Sequence, residues 1–221
     1  MGDLLRIAID GPSGAGKSTM AKLLAKDLGI DYIDTGAMYR AIALKLFRTG
    51  TDCNNSEALA ELLRTTDVDF DKGIIYLDGE DVSAFIRTQE VSEMASVSSA
   101  IPAVREKLVA LQKAMAQRKS LVMDGRDITT NVIPNAEVKI FLTASAHERA
   151  IRRAAEMKEK GQPCDVDQIE KEIEIRDYRD SHREVNPLTK ADDAALIDST
   201  GNTIEETVSI IKAHINNIIG V

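Results

Sequence analysis

Gly11-Pro12-Ser13-Gly14-Ala15-Gly16-Lys17-Ser18 is the stretch of sequence that decides the fold. It matches the pattern G-x-x-x-x-G-K-[S/T] at every specified position, and we call residues 11–18 the phosphate loop. A short apolar strand over residues 4–9 precedes it, and apolar residues at helical spacing follow it as far as Leu28. A strand, a glycine-rich turn and a helix start form an anion cradle, because backbone N–H groups and the positive end of the helix face the phosphates. The alternative is a plain glycine turn, which does not require both flanks to fit.

The phosphate loop supplies the expected contacts to ATP. The Lys17 ammonium would neutralise the β- and γ-phosphates, and the Ser18 hydroxyl would bind Mg²⁺. The predicted ATP-binding residues in this region are Gly11, Pro12, Ser13, Gly14, Ala15, Gly16, Lys17, Ser18 and Thr19.

Composition and net charge limit the kinds of partner and the cellular location that we expect for this protein. The chain has 221 residues and a net charge of −8, which argues against a general binder of nucleic-acid polymers or membranes. Cys53 and Cys164 are far apart without metal-site spacing, so we expect free thiols in a reducing compartment. We find neither a signal-peptide pattern nor an apolar run long enough to span a bilayer, and therefore expect a cytoplasmic protein.

Strands alternate with helices along most of the chain, which predicts an α/β fold: a parallel sheet covered by helices on both faces, of the P-loop NTPase type. Short extended segments at 68–70, 74–77 and 82–83 interrupt this rhythm and predict a small antiparallel meander within about residues 67–85. The predicted organisation is core 1–34, inserted monophosphate-binding subdomain 35–118, core 119–147, short lid 148–168 and core 169–221.

Asp124-Gly125-Arg126-Asp127 follows an apolar strand. An acid at this position could hold Mg²⁺ directly or through water, although Asp124 could instead cap the next segment. Ligands bind beyond the carboxyl ends of strands in open α/β sheets, so Arg126 could grip a phosphate. Asp127 could accept hydrogen bonds from a base or sugar. The alternative is an Arg–Asp pair that ties a loop.

Arg149, Arg152 and Arg153 are spaced to share one face of a helix. Beside a phosphate loop, and before the break at 161–163, this face predicts a lid that closes on the triphosphate and excludes water. Viewed alone, the helix would be an ordinary salt-bridged surface helix, because acidic residues lie nearby.

Arg176, Asp180 and Arg183 also share a helix face, and could hold a phosphate and a ribose hydroxyl or form a local ion-pair ladder. After the second strand, Arg40 lies one helical turn beyond Gly36 and could reach a second phosphate, although a helical arginine is usually just solvated.

Five segments together resemble the bacterial cytidylate kinases: residues 11–18, Asp-Thr-Gly-Ala-Met-Tyr-Arg at 34–40, Ile-Arg-Thr-Gln-Glu-Val at 86–91, Asp-Gly-Arg-Asp at 124–127 and Arg-Asp-Tyr-Arg-Asp-Ser-His-Arg at 176–183. The similarity spans nearly the whole chain in order. The predicted meander resembles the enlarged acceptor-binding insert of the bacterial type.

The resemblance implies a nucleoside monophosphate kinase that transfers the γ-phosphoryl group of ATP to CMP or dCMP, with Mg²⁺ as cofactor. It implies a CMP-binding set comprising Thr35, Tyr39, Arg40, Ser96, Arg105, Arg126, Asp127, Arg176, Asp180 and Arg183. Within this set, the residues implied to read the cytosine edge are Ser96, Arg105 and Asp127. It adds to the ATP-binding set Arg149 and Arg153. The implied catalytic residues are Lys17, Asp124, Arg126 and Arg183, and the metal ligands Ser18 and Asp124.

Two other functions remain to be weighed. A small-molecule kinase acting on shikimate or dephospho-coenzyme A would not need the insert or the cytosine-reading set. A GTPase-like switch or nucleotide-dependent binding module would be expected to carry an Asn-Lys-x-Asp segment that reads guanine, and the sequence has none. The surface pattern shows no dimer seam, so we expect a monomer.

Overall fold

The computed structural model describes residues 4–159 and 161–220, and these form two compact units. The first unit contains the chain up to Ile30 and again from Ser120 onward, and the second is Asp31–Lys119. The second unit is therefore a single insertion into the first.

Eight strands and eight α-helices are defined among these residues. The strands are β1 (Arg6–Asp10), β2 (Asp31–Asp34), β3 (Val68–Asp71), β4 (Ile74–Leu77), β5 (Glu80–Asp81), β6 (Leu121–Gly125), β7 (Val138–Thr143) and β8 (Ala195–Asp198). The helices are α1 (Lys17–Leu28), α2 (Thr35–Thr49), α3 (Ser56–Thr65), α4 (Gln89–Ser98), α5 (Pro102–Ala116), α6 (Ala146–Glu159), α7 (Val166–His182) and α8 (Ile204–Ile219).

The first unit is organised around β1. Strands β6, β1, β7 and β8 are adjacent in that order and run parallel, with Ile9 opposite both Asp124 and Ile140. Ile7 and Ala8, whose side chains point to opposite faces, are both completely buried. Both faces of the central strand are therefore covered, and the predicted α/β fold with a parallel core sheet is confirmed.

The turn from β1 into α1 depends on glycine. Gly11 has a φ of 150°, and a Cβ there would lie 1.9 Å from the carbonyl oxygen of Leu142 on β7. Only glycine fits at position 11, because the phosphate loop passes so close to the neighbouring strand. Gly29 ends α1 in the left-handed conformation, with its N–H bonded to the last turn.

The second unit contains the predicted antiparallel meander, β3-β4-β5. Its third strand is Glu80–Asp81, which lies immediately before the predicted segment Val82–Ser83. The reason is a turn at Val82, whose carbonyl accepts hydrogen bonds from the N–H groups of Phe85 and Ile86. The Val82 N–H still donates to the carbonyl oxygen of Ile75, but the Ile75 N–H donates to the Ser83 hydroxyl instead of the Val82 carbonyl, so regular pairing stops here.

Two further elements position site residues in the first unit. A π-helix over Ile128–Val132 follows β6 after Arg126 and Asp127, and the sequence pattern did not predict it. Helices α6 and α7 pack together through the buried side chains of Ala150, Ala154, Ile169 and Ile173. Across the described residues, no helix combines the length and apolar character needed to cross a bilayer.

Candidate active site

Within the phosphate loop, Gly16 has a left-handed backbone (φ 86°) and precedes α1, which begins at Lys17. The Lys17 side chain is buried, and its Nζ donates to the carbonyl oxygen of Pro12 at 2.7 Å. Burial, together with the positive charge of Arg126, lowers the pKa of Lys17 to about 7. A phosphate group beside Lys17 would oppose this effect by favouring the charged ammonium.

Ser18 and Asp124 meet beside the loop, where the Ser18 hydroxyl donates to Asp124 Oδ2 at 2.9 Å. Asp124 is buried at the end of β6, as the sequence predicted for an acid at a strand end. Hard oxygen donors of this kind suit Mg²⁺, which takes one or two protein ligands and completes its shell with phosphates and water. Within residues 4–159 and 161–220, no group of three or more His, Cys, Asp or Glu side chains offers a larger metal site.

Arg126 and Asp180 form a buried ion pair, in which Nε donates to Oδ2 at 2.8 Å. Burial alone would raise the pKa of Asp180, but the charges of Arg126, Arg176 and Arg183 outweigh it and hold the pKa below its usual range. Three arginines therefore surround one carboxylate in the first unit.

Asp127 and Arg183 form a second buried pair. Arg183 Nη2 donates to Asp127 Oδ1 at 3.1 Å, and its Nε donates to the carbonyl oxygen of Asn186 at 2.8 Å. The other carboxylate oxygen of Asp127 accepts from Asn131 Nδ2 at 3.1 Å. These contacts fix the Asp127 carboxylate from two sides.

Arg149 lies against the phosphate loop. Its guanidinium donates to the carbonyl oxygens of Ala144 at 2.9 Å and Ser13 at 2.8 Å, and pairs with Asp177 at 2.7 Å. The same Asp177 side chain accepts from the Ser13 N–H at 3.4 Å. A Cβ at Gly14 would lie 3.3 Å from the Arg149 Cβ, so the arginine packs closely on the loop. This side chain holds the loop backbone.

The other two arginines of the α6 face differ from Arg149. Arg152 donates to the carbonyl oxygen of Ser199 at 2.7 Å and to Glu148 at 3.2 Å, so it ties α6 to the end of β8. Arg153 is half-buried. Arg149, Arg152 and Arg153 therefore lie in different environments although they share one helix face.

In the second unit, Arg105 is almost completely buried on α5, with its guanidinium 5.7 Å from the centre of the Tyr39 ring. Its Nη1 donates to the carbonyl oxygen of Ser99 at 3.2 Å. Ser96 is buried on α4.

The start of α2 carries the remaining predicted residues. Thr35 is buried and is the first residue of α2. The guanidinium group of Arg40 lies beside Gly36, where an added Cβ would be 3.4 Å from Arg40 Nη1. The cap residue Asp34 also pairs with Arg87 at 3.3 Å. The segment 34–40 therefore carries one acid, one arginine and two hydroxyl groups, and Arg87 of the same unit adds a second arginine.

Sequence reasoning missed Asp10 and Asp177. Asp10 is the last residue of the apolar strand β1 and Asp124 is the last but one of β6, so the signal that singled out Asp124, an acid at the end of an apolar strand, was also present at Asp10. Burial raises the pKa of Asp10, against the hydrogen bonds that it accepts from Thr129 and Ile128. Asp177 follows Arg176 on a highly charged helix and carries no signal that separates it from its neighbours.

The cytidylate kinase family model matches residues 7–217. The chain belongs to the cytidylate kinase family.

Curated cytidylate kinases are about 50% identical in sequence to this chain. The Lactobacillus johnsonii enzyme is 50% identical, over 94% of this chain and 92% of the relative. The Caldicellulosiruptor saccharolyticus enzyme is 51% identical, over 98% and 97%. The family resemblance predicted from the five segments is confirmed along the whole chain.

Solved structures add the fold. A protein from Eubacterium ventriosum superposes with a TM-score of 0.54 at 16% identity, covering 97% of this chain and 99% of that one. Shikimate kinase from Bacteroides thetaiotaomicron gives 0.50 at 15% identity, with the same coverage. At this identity the likeness of this cytidylate kinase family member to shikimate kinase concerns the fold alone.

Proposed function

We propose that this cytidylate kinase family member transfers the γ-phosphoryl group of ATP to the phosphate of CMP or dCMP, giving CDP or dCDP and ADP. The observation that carries the proposal is a pair of arginines held on acids of the first unit: Arg126 contacts Asp180 at 2.8 Å, and Arg183 contacts Asp127 at 3.1 Å. Arg126 and Arg176 also act electrostatically on Lys17 of the phosphate loop. So much positive charge near one loop suits more phosphate groups than those of ATP alone.

The transfer requires positioning and charge neutralisation. The acceptor phosphate is already an anion, so no general base is assigned. Lys17, Arg126 and Arg183 neutralise the charge that spreads over the phosphoryl oxygens. Asp180 keeps Arg126 in place until phosphate binds, and the remaining acceptor contacts in our proposal are Thr35, Tyr39, Arg40 and Arg176.

Ser18 and Asp124 would hold Mg²⁺, with Asp124 binding it directly or through water. The bound ion would neutralise phosphate charge. The hydroxyl and carboxylate that meet at 2.9 Å provide its oxygen ligands. The ATP-binding contacts are completed by the backbone of residues 11–19 together with Arg149 and Arg153.

Cytosine is selected by Asp127, Ser96 and Arg105. A carboxylate can accept from the exocyclic amine of cytosine, and the serine and arginine can donate to its ring nitrogen and carbonyl. Uracil has no such amine, and a buried carboxylate left unmatched disfavours it. This assignment rests on the family resemblance, and the burial of all three side chains supports it.

The test is an acceptor panel. The protein is mixed with Mg-ATP and each of CMP, dCMP, UMP, AMP, GMP and shikimate, and ADP release is followed by a coupled assay. We expect fast turnover with CMP and dCMP and little with the others. An Asp127→Ala variant should lose CMP preference more than ATP affinity, whereas Asp71→Ala, which removes an exposed carboxylate on β3, should change neither. Turnover that no acceptor stimulates would contradict the kinase function.

We further propose a cytoplasmic monomer. Cys53 and Cys164 are both free thiols, which fits a reducing compartment. Light scattering of the purified protein measures the oligomeric state, and a mass near twice 24.1 kDa would contradict the monomer.

A further inference from the structure

Asp10 is a completely buried acid that the proposed reaction does not use. It is the last residue of β1, one position before the phosphate loop, and lies opposite Gly125 of β6 and Phe141 of β7. Its side chain therefore lies at the carboxyl end of the central strand, where functional groups of this fold gather.

Three donors converge on this carboxylate. Oδ1 accepts from the Ile128 N–H at 2.9 Å, and Oδ2 accepts from the Thr129 N–H and the Thr129 hydroxyl, both at 2.7 Å. Burying a charged group is costly unless it is hydrogen-bonded, and bonds to a charged acceptor are short and strong. The carboxylate thus binds the start of the π-helix to the end of β1.

The residue next to these donors is Asp127. Its backbone conformation (φ −145°, ψ 29°) is neither helical nor extended, and its carbonyl accepts from the N–H groups of Asn131 and Val132. Arg183 and Asn131 hold the Asp127 carboxylate itself, but the backbone that carries this side chain depends on where the following two peptide groups are held. Asp10 holds both of them.

We propose that Asp10 is a positioning residue for acceptor recognition: it fixes the backbone at Ile128 and Thr129 so that Asp127 presents its carboxylate to the cytosine ring. Asp10 itself does not touch the substrate. The inference rests on the proposed function, because it assigns to Asp10 an effect that is transmitted through Asp127.

Two other roles would give different kinetics. The negative charge of Asp10 also favours the charged form of Lys17, and a role through that lysine would appear in the KM for ATP. A role in stability alone would reduce the amount of active enzyme, and so lower kcat for every acceptor without changing either KM.

The experiment compares Asp10→Asn, Thr129→Val and Thr129→Ser in the full chain. The amide of Asn must turn its NH₂ group toward one of the three donors, whereas Val removes the Thr129 hydroxyl at nearly constant shape and Ser keeps it. We expect the KM for CMP to rise about tenfold in Asp10→Asn and about fivefold in Thr129→Val, because each change removes a bond to a charged acceptor. Thr129→Ser should stay within about twofold of wild type.

The KM for ATP should stay within about twofold in all three variants, and the preference for CMP over UMP should fall in Asp10→Asn. Thermal unfolding shows which variants are folded, and the Thr129 pair decides the question if Asp10→Asn does not fold. Equal rises in both KM values, or a loss confined to kcat, would overturn the inference. Wild-type enzyme without CMP-stimulated turnover would overturn the proposed function, and this inference with it.

Discussion

Arg149, Arg126 and Arg183 each contact both a carboxylate and a backbone carbonyl oxygen, but in different parts of the first unit. Arg149 donates to two backbone carbonyl oxygens, which hold it in one place. Arg126 and Arg183 contact the carboxylates of Asp180 and Asp127, respectively. A carboxylate resembles a phosphate in charge and in its paired oxygens, which supports the proposal that these two guanidinium groups bind a substrate phosphate. Arg149 instead shapes the loop that binds ATP.

Arg149→Lys should weaken ATP binding through the loop. A lysine ammonium lacks the fork that reaches Ala144, Ser13 and Asp177 together. We expect the KM for ATP to rise about tenfold, which corresponds to the loss of one charge-assisted hydrogen bond. Steady-state kinetics at saturating CMP measure this effect. The control is Arg152→Lys, on the same helix face but bound to Ser199, and an equal change in both variants would contradict the assigned role.

Asp180→Asn should destabilise the fold at neutral pH. The substitution leaves Arg126 without its paired carboxylate, and breaking a buried pair costs about 3 kcal/mol of unfolding free energy. Urea unfolding at pH 7 measures this loss. Asp193→Asn, which breaks only the exposed pair with Lys139, should lose far less.

The pH dependence of this loss follows from the lowered pKa of Asp180. The stabilising contribution is fully present above the unfolded value of about 3.9 and is lost as the pH falls through the folded value. The difference between wild type and Asp180→Asn should therefore shrink at acid pH. A difference that stays constant down to pH 3 would be inconsistent with this explanation.

At the scale of elements, the close approach of the phosphate loop to β7 makes a sharp prediction. Gly11→Ala places a Cβ against the carbonyl oxygen of Leu142 at a positive φ, so backbone must move. We expect a loss of about 3 kcal/mol or more in unfolding free energy, from strain and overpacking together. Gly29→Ala is the matched control, since its Cβ would meet open space, and should lose about 1 kcal/mol. Similar losses in denaturant unfolding would contradict the steric argument.

His147 on α6 and Glu170 on α7 form an exposed ion pair at 2.8 Å that joins the helices of the predicted lid region. The hydrogen bond to Glu170 and its charge raise the pKa of His147 above the usual value of about 6.5. The attraction is present below that value and is lost as the pH rises through the raised pKa. An NMR titration should show the raised pKa, and Glu170→Gln should return it toward 6.5. Identical titration curves would show that the pair does not form in solution.

Local sequence signals predicted the elements that depend on them. The apolar strand before Gly11 and the helix after it follow from hydrophobic periodicity and glycine placement, and both are present. The third meander strand was misplaced because Val82 has a high strand propensity, yet its carbonyl is used by a turn that only the tertiary fold explains. The π-helix at 128–132 was missed because it depends on Asp10, which is 118 residues from Ile128 in sequence.

For the molecule as a whole, the family could be predicted because five motifs occur in order, and the match over residues 7–217 confirms it. Contacts between segments that are distant in sequence could not be predicted from these motifs. The pair Arg126–Asp180 joins residues 54 positions apart, and Arg149 meets Ser13 across 136. Helical spacing predicted that Arg149 and Arg152 share a face, but it could not reveal that one contacts the phosphate loop and the other β8.

In the proposed reaction, this molecule transfers one phosphoryl group from ATP to a cytidine monophosphate. The most direct test of this reaction is to incubate the protein with Mg²⁺, CMP and ATP labelled at the γ-phosphate, and to locate the label by ³¹P NMR or chromatography. We expect the label to appear in the β-phosphate of CDP, with one ADP formed for each CDP. Label released as inorganic phosphate, with no labelled CDP, would contradict it.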